Sequence, residues 1–233
     1  MASRNEAKKQ KEKTSQALIE SALELCAEEG YASLTLRSVA RKAGIAPTSF
    51  YRHFREIDEM GVAMVDQARE ILTDWLARAR KQMAFSGAAA MDDAAGRKAS
   101  VEGLTRPFVK TFVACYQDHP RLLHLFFQER TGSAAPLKTA IAEAVAALAR
   151  ELAEILKRPG KGLPCGAKTL ELLSETMITL VSRGVMEQWA ASENPRQPLR
   201  AVPGEAVDDP VVHPLTLLLL GALTLEPTRR EPK

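Results

Sequence analysis

Thr-Leu-Arg-Ser-Val-Ala-Arg-Lys-Ala-Gly-Ile-Ala-Pro-Thr-Ser-Phe-Tyr-Arg-His-Phe-Arg, residues 35–55, reads as two short helices joined by a tight turn. Thr35 is a capping residue, and Leu36, Val39, Ala40 and Ala43 then fall on one face at spacings of three and four. Gly44 follows as a residue that tolerates left-handed backbone angles, and Ile45 can plug the turn. Pro47 suits the first position of the next helix, where its missing N–H would have no partner. That second helix, read as residues 47–54, buries Phe50 and Phe54 and turns Thr48, Ser49, Tyr51, Arg52 and the rim of His53 outward. The stretch holds Arg37, Arg41, Lys42, Arg52 and Arg55 and no Asp or Glu. Cations without acids suit phosphates, and short polar side chains at a helix N-terminus suit a major groove. An ordinary solvated helix pair has no reason to combine this charge, this turn and this aromatic spacing.

Working outward, residues 1–13 read as a flexible basic arm, with Arg4, Lys8, Lys9, Lys11 and Lys13 against Glu6 and Glu12. Such an arm is either a solvated tail or lies along a phosphate backbone or minor groove. A first helix spans 14–29, with Ala17, Leu18, Ala22, Leu25 and Cys26 as its buried stripe and Gly30 as its stop. It braces the helix pair into a three-helix unit, so a helix-turn-helix domain covers 14–56, with the first turns of a connecting helix reaching about residue 65. The connecting helix runs from about 56 to 84, with Asp58 and Glu59 in its first turn, where negative charge is favourable.

The rest, 57–233, reads as a larger helical domain. Residues 85–98 read as a loop. Helices are expected over about 101–118, from Pro120 to Arg130, over 134–157 and over 167–191, with a turn-rich linker at 159–166. A Pro-rich connector follows at 193–209, and Pro214 opens a last, Leu-rich helix. The fold class is therefore all-α. The last helix is too apolar to lie alone in water, and pairing it and its predecessor with their symmetry mates would give a four-helix seam and a C2 homodimer. A short helix-turn-helix reads few bases, so two copies on a palindromic double-stranded site suit a dimer.

Apolar content of 45% and charged content of 26% are those of a soluble globular chain. The net charge of +3 is too small to point to nucleic acid; its placement is what informs. Cys26, Cys115 and Cys165 lie far apart without metal-ligand spacing, as expected for core fillers in a reducing cytoplasm. The apolar run at 214–225 falls short of the roughly 20 residues that span a bilayer, so no membrane insertion is expected.

Leu-Arg-Ser-Val-Ala-Arg-Lys-Ala-Gly-Ile-Ala and the following Phe-Tyr-Arg-His-Phe resemble the DNA-binding domain of TetR-family transcriptional repressors over residues 14 to about 65. The resemblance implies an N-terminal three-helix DNA reader, a C-terminal helical ligand-binding and dimerisation domain, and a homodimer. It makes Thr48 base-proximal, Ser49 and Tyr51 phosphate binders, Arg37 a DNA contact and His53 an anchor near the backbone. Arg52 is the candidate base-edge reader, because a bidentate Arg–guanine contact is the strongest single readout. Pro47 opens the reading helix, and Thr35 offers a phosphate hydrogen bond beside its cap. Where the family often has Lys near the start of the long helix this chain has Ile57, which leaves Arg55 as the candidate for that phosphate contact.

Lys-Lys-Gln-Lys-Glu-Lys-Thr at 8–14, Ala-Pro-Thr-Ser-Phe-Tyr-Arg-His-Phe-Arg-Glu-Ile-Asp-Glu-Met-Gly at 46–61 and Phe-Phe-Gln-Glu-Arg-Thr-Gly-Ser-Ala-Ala-Pro-Leu-Lys at 126–138 look like the FabR/DesT branch. That branch represses genes for unsaturated fatty-acid synthesis and senses long-chain acyl-CoA or acyl carrier protein thioesters, so the resemblance implies a small lipophilic effector and no cofactor. Phe108, Phe112, Tyr116, Phe126, Phe127, Met177, Val181 and Met186 provide adaptable apolar material for a ligand cavity or, equally, for a solid core. Arg130 is either a head-group contact or a structural ion pair. The alternatives are a TetR-type regulator of efflux or another lipophile and, from another class, a helical lipid carrier with a basic patch. No phosphate loop, nucleophile elbow or carboxylate pair argues for an enzyme. His119 and His124, five apart, diverge by about 140° on a helix and would share no metal.

Overall fold

The computed structural model describes residues 2–84, 93–157, 163, 165–191 and 209–225. Among these it is helical without strands: α1 (Ala2–Glu29), α2 (Leu36–Lys42), α3 (Pro47–Phe50), α4 (Ile57–Gln82), α5 (Ala94–Asp118), α6 (Pro120–Gln128), α7 (Ala135–Leu156), α8 (Ala167–Ala190) and α9 (Val212–Leu225), with short 3-10 turns at Tyr31–Ser33 and Glu129–Thr131. Packing divides the chain into two compact units, residues 1–70 with 119–144 and residues 71–118 with 145–233. The sequence reading placed a boundary at 56/57. Packing draws a different one because α6 lies on α1, where Arg121 reaches Glu24 at 3.4 Å.

Several expectations need correction. The expected arm is helical: α1 begins at Ala2, because Lys, Glu, Gln and Ala favour helix and Lys8 pairs with Glu12 one turn on. Its buried stripe includes Leu18 and Ala22 but also Ile19, Ser21 and Leu23, whereas Ala17 is exposed and Leu25 and Cys26 are half-buried. The reading helix is shorter than 47–54; it ends at Phe50, and turns carry the chain on to Phe54. α5 starts at Ala94, seven residues before the expected Val101, since the Asp93 carboxylate accepts the Gly96 amide at 2.6 Å. α9 starts at Val212, not Pro214, because buried Asp209 accepts the amides of Val211 and Val212 at 2.8 and 2.9 Å. Of the loop expected at 85–98, residues 94–98 are helical and 85–92 lie outside the described residues, as do most of the linker at 159–166 and residues 193–208 of the connector expected at 193–209.

In the first unit, Leu18 and Ala22 of α1, Val39 and Ala40 of α2, and Phe50 share one core. Phe50 and Phe54 stack at 5.8 Å. Tyr31 is buried and donates its hydroxyl to the Ile57 carbonyl at 3.3 Å, at the first residue of α4. A Cβ at Gly61 would collide with that hydroxyl, so a bare backbone is needed one turn further on. Glu59 closes the start of α4 by accepting the Arg55 amide.

In the second unit, Trp75 is fully buried between Phe108 and Phe112, with ring centroids 5.0 and 4.9 Å away. Its indole N–H donates to the Thr111 hydroxyl at 3.1 Å. Pro107, inside α5, lacks the N–H that would have bonded the Gly103 carbonyl, and that carbonyl accepts the Ala84 amide at 3.0 Å instead. The end of α4 is thereby tied to α5, at a contact so close that a Cβ on Gly103 would strike the Ala84 carbonyl. α9 packs on α5 and α8; the buried Thr105 and Thr216 hydroxyls meet at 3.0 Å.

Candidate nucleic-acid interface

The helix-turn-helix is assembled from local hydrogen bonds. The Thr35 hydroxyl accepts the Ser38 amide at 3.1 Å, while the Ser38 hydroxyl accepts the Thr35 amide at 3.1 Å, a reciprocal box at the start of α2. At the other end Ile45 N–H reaches the Ala40 carbonyl at 3.0 Å and Gly44 N–H reaches that of Arg41 at 3.1 Å. This pair of bonds closes α2 in a Schellman turn, with Gly44 at φ 69°. Ala46 then provides an extended residue, and Pro47 opens α3 at its first turn.

This arrangement leaves Thr35, Arg37, Pro47, Thr48, Tyr51, Arg52 and Arg55 exposed, Ser49 and His53 half-buried, and Phe50 fully buried beneath them. Tyr51 is 63% exposed, with its ring edge-on to Phe50 at 6.3 Å. A large aromatic held that far into solvent beside Arg52 has apolar area and a hydroxyl to offer a partner. The nine sequence-predicted positions thus lie on one short stretch of backbone. Thr35 is committed to its cap, its hydroxyl also meeting that of Ser38 at 3.0 Å.

Two features escaped the sequence reading. Lys42, counted among the cations of the acid-free stretch, is held by Glu24 at 3.3 Å and Glu28 at 3.6 Å, so acids from α1 meet that stretch at the end of α2. Arg37, Arg41, Arg52 and Arg55 make no such pair among the described residues. The second feature is His53, whose Nδ1 is buried without a hydrogen-bond partner among the described residues. Burial, and then the charges of Lys11 and Arg52, hold its pKa below the ordinary imidazole value. Lys11, one of these charges, belongs to the segment read as an arm. Only the pairing of distant segments could have shown either.

The candidate ligand residues are divided between the two units. Phe126, Phe127 and Arg130 belong to the first; Phe108, Phe112, Tyr116, Met177, Val181 and Met186 belong to the second. Phe108, Phe112, Tyr116, Met177 and Val181 are fully buried and Met186 is half-buried. Tyr116 packs edge-on against Trp189 at 5.5 Å. A cavity of about 270 Å³ in the second unit is lined by other residues, including Arg150, Lys157, Leu170 and Glu171. In the first unit, Phe126 borders a crevice with Met64, Leu122 and Ile141 that is too narrow for water. No helix among the described residues is long and apolar enough to cross a membrane.

Residues 18–64 match the model of bacterial regulatory proteins of the tetR family. Among solved structures, the chain is similar to the fatty acid degradation regulator FadR of Bacillus halodurans, at 18% identity over 90% of this chain and 96% of that one, with a TM-score of 0.60. It is similar to FadR of Bacillus subtilis in complex with stearoyl-CoA, at 15% identity over 89% and 98%, with a TM-score of 0.56. A TetR-like transcriptional regulator of Rhodococcus sp. RHA1 aligns at 15% identity over 91% and 97%, with a TM-score of 0.54. At these identities the likeness establishes the fold.

Proposed function

We propose that this TetR-family transcriptional regulator is a homodimeric repressor that binds a palindromic operator and answers to a long-chain acyl-CoA or acyl carrier protein thioester, controlling genes of unsaturated fatty-acid synthesis. The observation that carries the reading is the capped, glycine-turned helix pair that holds Thr48, Tyr51 and Arg52 out of the fold on a buried Phe50. In this reading Arg52 reads a base edge, Thr48 lies against the bases, and Ser49, Tyr51 and Arg55 hold phosphates. Arg37 adds a contact from α2, and His53 sits against the backbone. Thr35 serves the interface first as the cap of α2.

Support for the dimer comes from α8 and α9, which pack together and leave Leu172 at 67% and Leu217 at 55% exposure, with Leu218, Leu220 and Leu223 half-buried. Apolar side chains left in water along two adjacent helices favour a second copy. Support for the effector comes from the sequence resemblance at 126–138 and from the FadR structures, one of which holds stearoyl-CoA. Phe108, Phe112, Tyr116, Met177 and Val181 are fully buried, so an acyl chain that reaches them in the second unit has to displace packed side chains. A ligand that binds only the parted state shifts the population towards it, and that differential affinity is the switch.

The test is selection of duplexes from a random pool by the full chain, with and without oleoyl-CoA and stearoyl-CoA. A palindromic consensus whose recovery changes with one of the two supports the reading. A consensus indifferent to both, and to calorimetric titration with either, removes the acyl effector and leaves the DNA-binding regulator. Recovery of no consensus, together with binding to anionic vesicles, would turn the chain into a lipid carrier.

A further inference from the structure

The cavity of about 270 Å³ in the second unit lies between the last turns of α7 and the first turns of α8. Arg150, Ala153, Glu154 and Lys157 recur at spacings of three and four, so they share one face of α7. Ala167, Leu170 and Glu171 share a face of α8 in the same way. Ala153 and Leu170 are buried and make the floor, while Arg150, Glu154, Lys157 and Glu171 are exposed and make the rim. The hollow exists because each helix puts an alanine where a longer side chain would fill it. None of the residues assigned above to DNA or to an acyl chain lines it.

The rim charges do not all neutralise one another. Lys157 pairs with Glu154 at 3.4 Å, a neighbour on its own helix. Arg150 donates its Nε to the Ala146 carbonyl at 3.3 Å, one turn back. That bond holds the guanidinium, and among the described residues its terminal nitrogens have no partner. Glu171 has no ion pair among the described residues either. Further along α8, exposed Arg183 and Glu187 do find each other, at 2.8 Å. Two opposite charges thus line one hollow, one on each helix, without meeting.

Size narrows the occupant. At roughly 30 Å³ of liquid volume for each water, the hollow has room for about nine non-hydrogen atoms. An acyl-CoA is far too large, and so are most drug-sized molecules. Arg150 presents a fork that suits a carboxylate, and Glu171 suits an ammonium. The body between these two groups has to be apolar to lie on Ala153 and Leu170. A small aliphatic amino acid has all three parts, and leucine is about this size.

We infer that the cleft between α7 and α8 is a second ligand site that takes a small zwitterion of the aliphatic amino-acid class. Arg150 holds its carboxylate, Glu171 its ammonium, and Ala153 and Leu170 its side chain. The inference goes beyond the DNA-binding and acyl readings and depends on neither.

The experiment is saturation-transfer NMR on the full chain, titrated with L-leucine, with isocaproate, which lacks the ammonium, and with isoamylamine, which lacks the carboxylate. Leucine binds the parent chain. Each single-charge analogue binds about fivefold more weakly, the upper end of what an exposed ion pair contributes. Arg150→Gln and Glu171→Gln weaken leucine by a similar factor. Ala167→Leu, at an exposed position that the fold tolerates, fills the hollow and abolishes binding. Lys168→Gln, exposed beside the hollow but not lining it, leaves binding unchanged. Absence of leucine binding by the parent up to about 10 mM overturns the inference. So does equal binding of leucine and either analogue, or unchanged binding in Arg150→Gln, Glu171→Gln or Ala167→Leu.

Discussion

The helix-turn-helix at 35–54 and the aromatic cluster around Trp75 use the same residue type for opposite ends. Gly44, in the first, is needed for its backbone angle: φ is 69°, and a Cβ there would meet nothing within 4 Å. Gly103, in the second, has no positive φ and is needed for space, because a Cβ would strike the Ala84 carbonyl. One region is held by hydrogen bonds between near neighbours in the chain. The other is held by side chains from α4 and α5, tens of residues apart. A reader that must present polar side chains to a partner is built from caps and turns, and the rest from volume.

The largest way to sharpen that contrast is Trp75→Ala. It removes a fully buried indole between two rings, and stability to urea should fall by about 3–5 kcal/mol. A loss under about 1 kcal/mol would mean that the cluster is not the core of its unit. Next comes Arg52→Ala, which should leave the urea midpoint unchanged and weaken discrimination at one base position per half-site by about 1–3 kcal/mol. Competition between operator variants reads this, and a uniform loss over all sequences would deny Arg52 a reading role. Gly103→Ala forces backbone against backbone and should cost about 1–3 kcal/mol. Gly44→Ala costs about 1 kcal/mol through its left-handed backbone alone. If Gly44→Ala proves the worse of the two, the distinction between angle and space fails.

The smallest effect concerns pH. His53 has a lowered pKa through burial and then the charges of Lys11 and Arg52, and His124 through burial. Below the ordinary value of 6.5 the unfolded chain therefore binds protons that the folded one does not. Stability should fall as pH drops through that value and be indifferent to these groups above it. His53→Gln should make the dependence of stability on pH shallower between about pH 7 and 5; an identical dependence would mean that His53 titrates alike in both states.

The same contrast explains how much could be read from sequence. Thr35, Gly44 and Pro47 act within a few residues of themselves, so the cap, the turn and the helix start were legible, as was the helical class of the chain. The capture of Lys42 by Glu24 and Glu28 joins residues at least 14 positions apart, and no periodicity announces it. The length of α1 was misjudged because a polar, charged segment reads as disordered when its helix propensity is left out. α3 is shorter than its sequence suggests, since Phe50 and Phe54 satisfy helical spacing even where the backbone between them turns. The apolar residues of α5 and α8 were identified as buried, but composition does not distinguish a filled interior from one that opens.

α3 has a single fully buried side chain, Phe50, and its backbone is set by Gly44 and Pro47 on the approach. Thr48, Tyr51 and Arg52 carry almost none of the folding energy. They form an interchangeable tip: on the proposed DNA-binding reading, operator preference changes by a few exchanges there, with the scaffold indifferent to which side chains it presents.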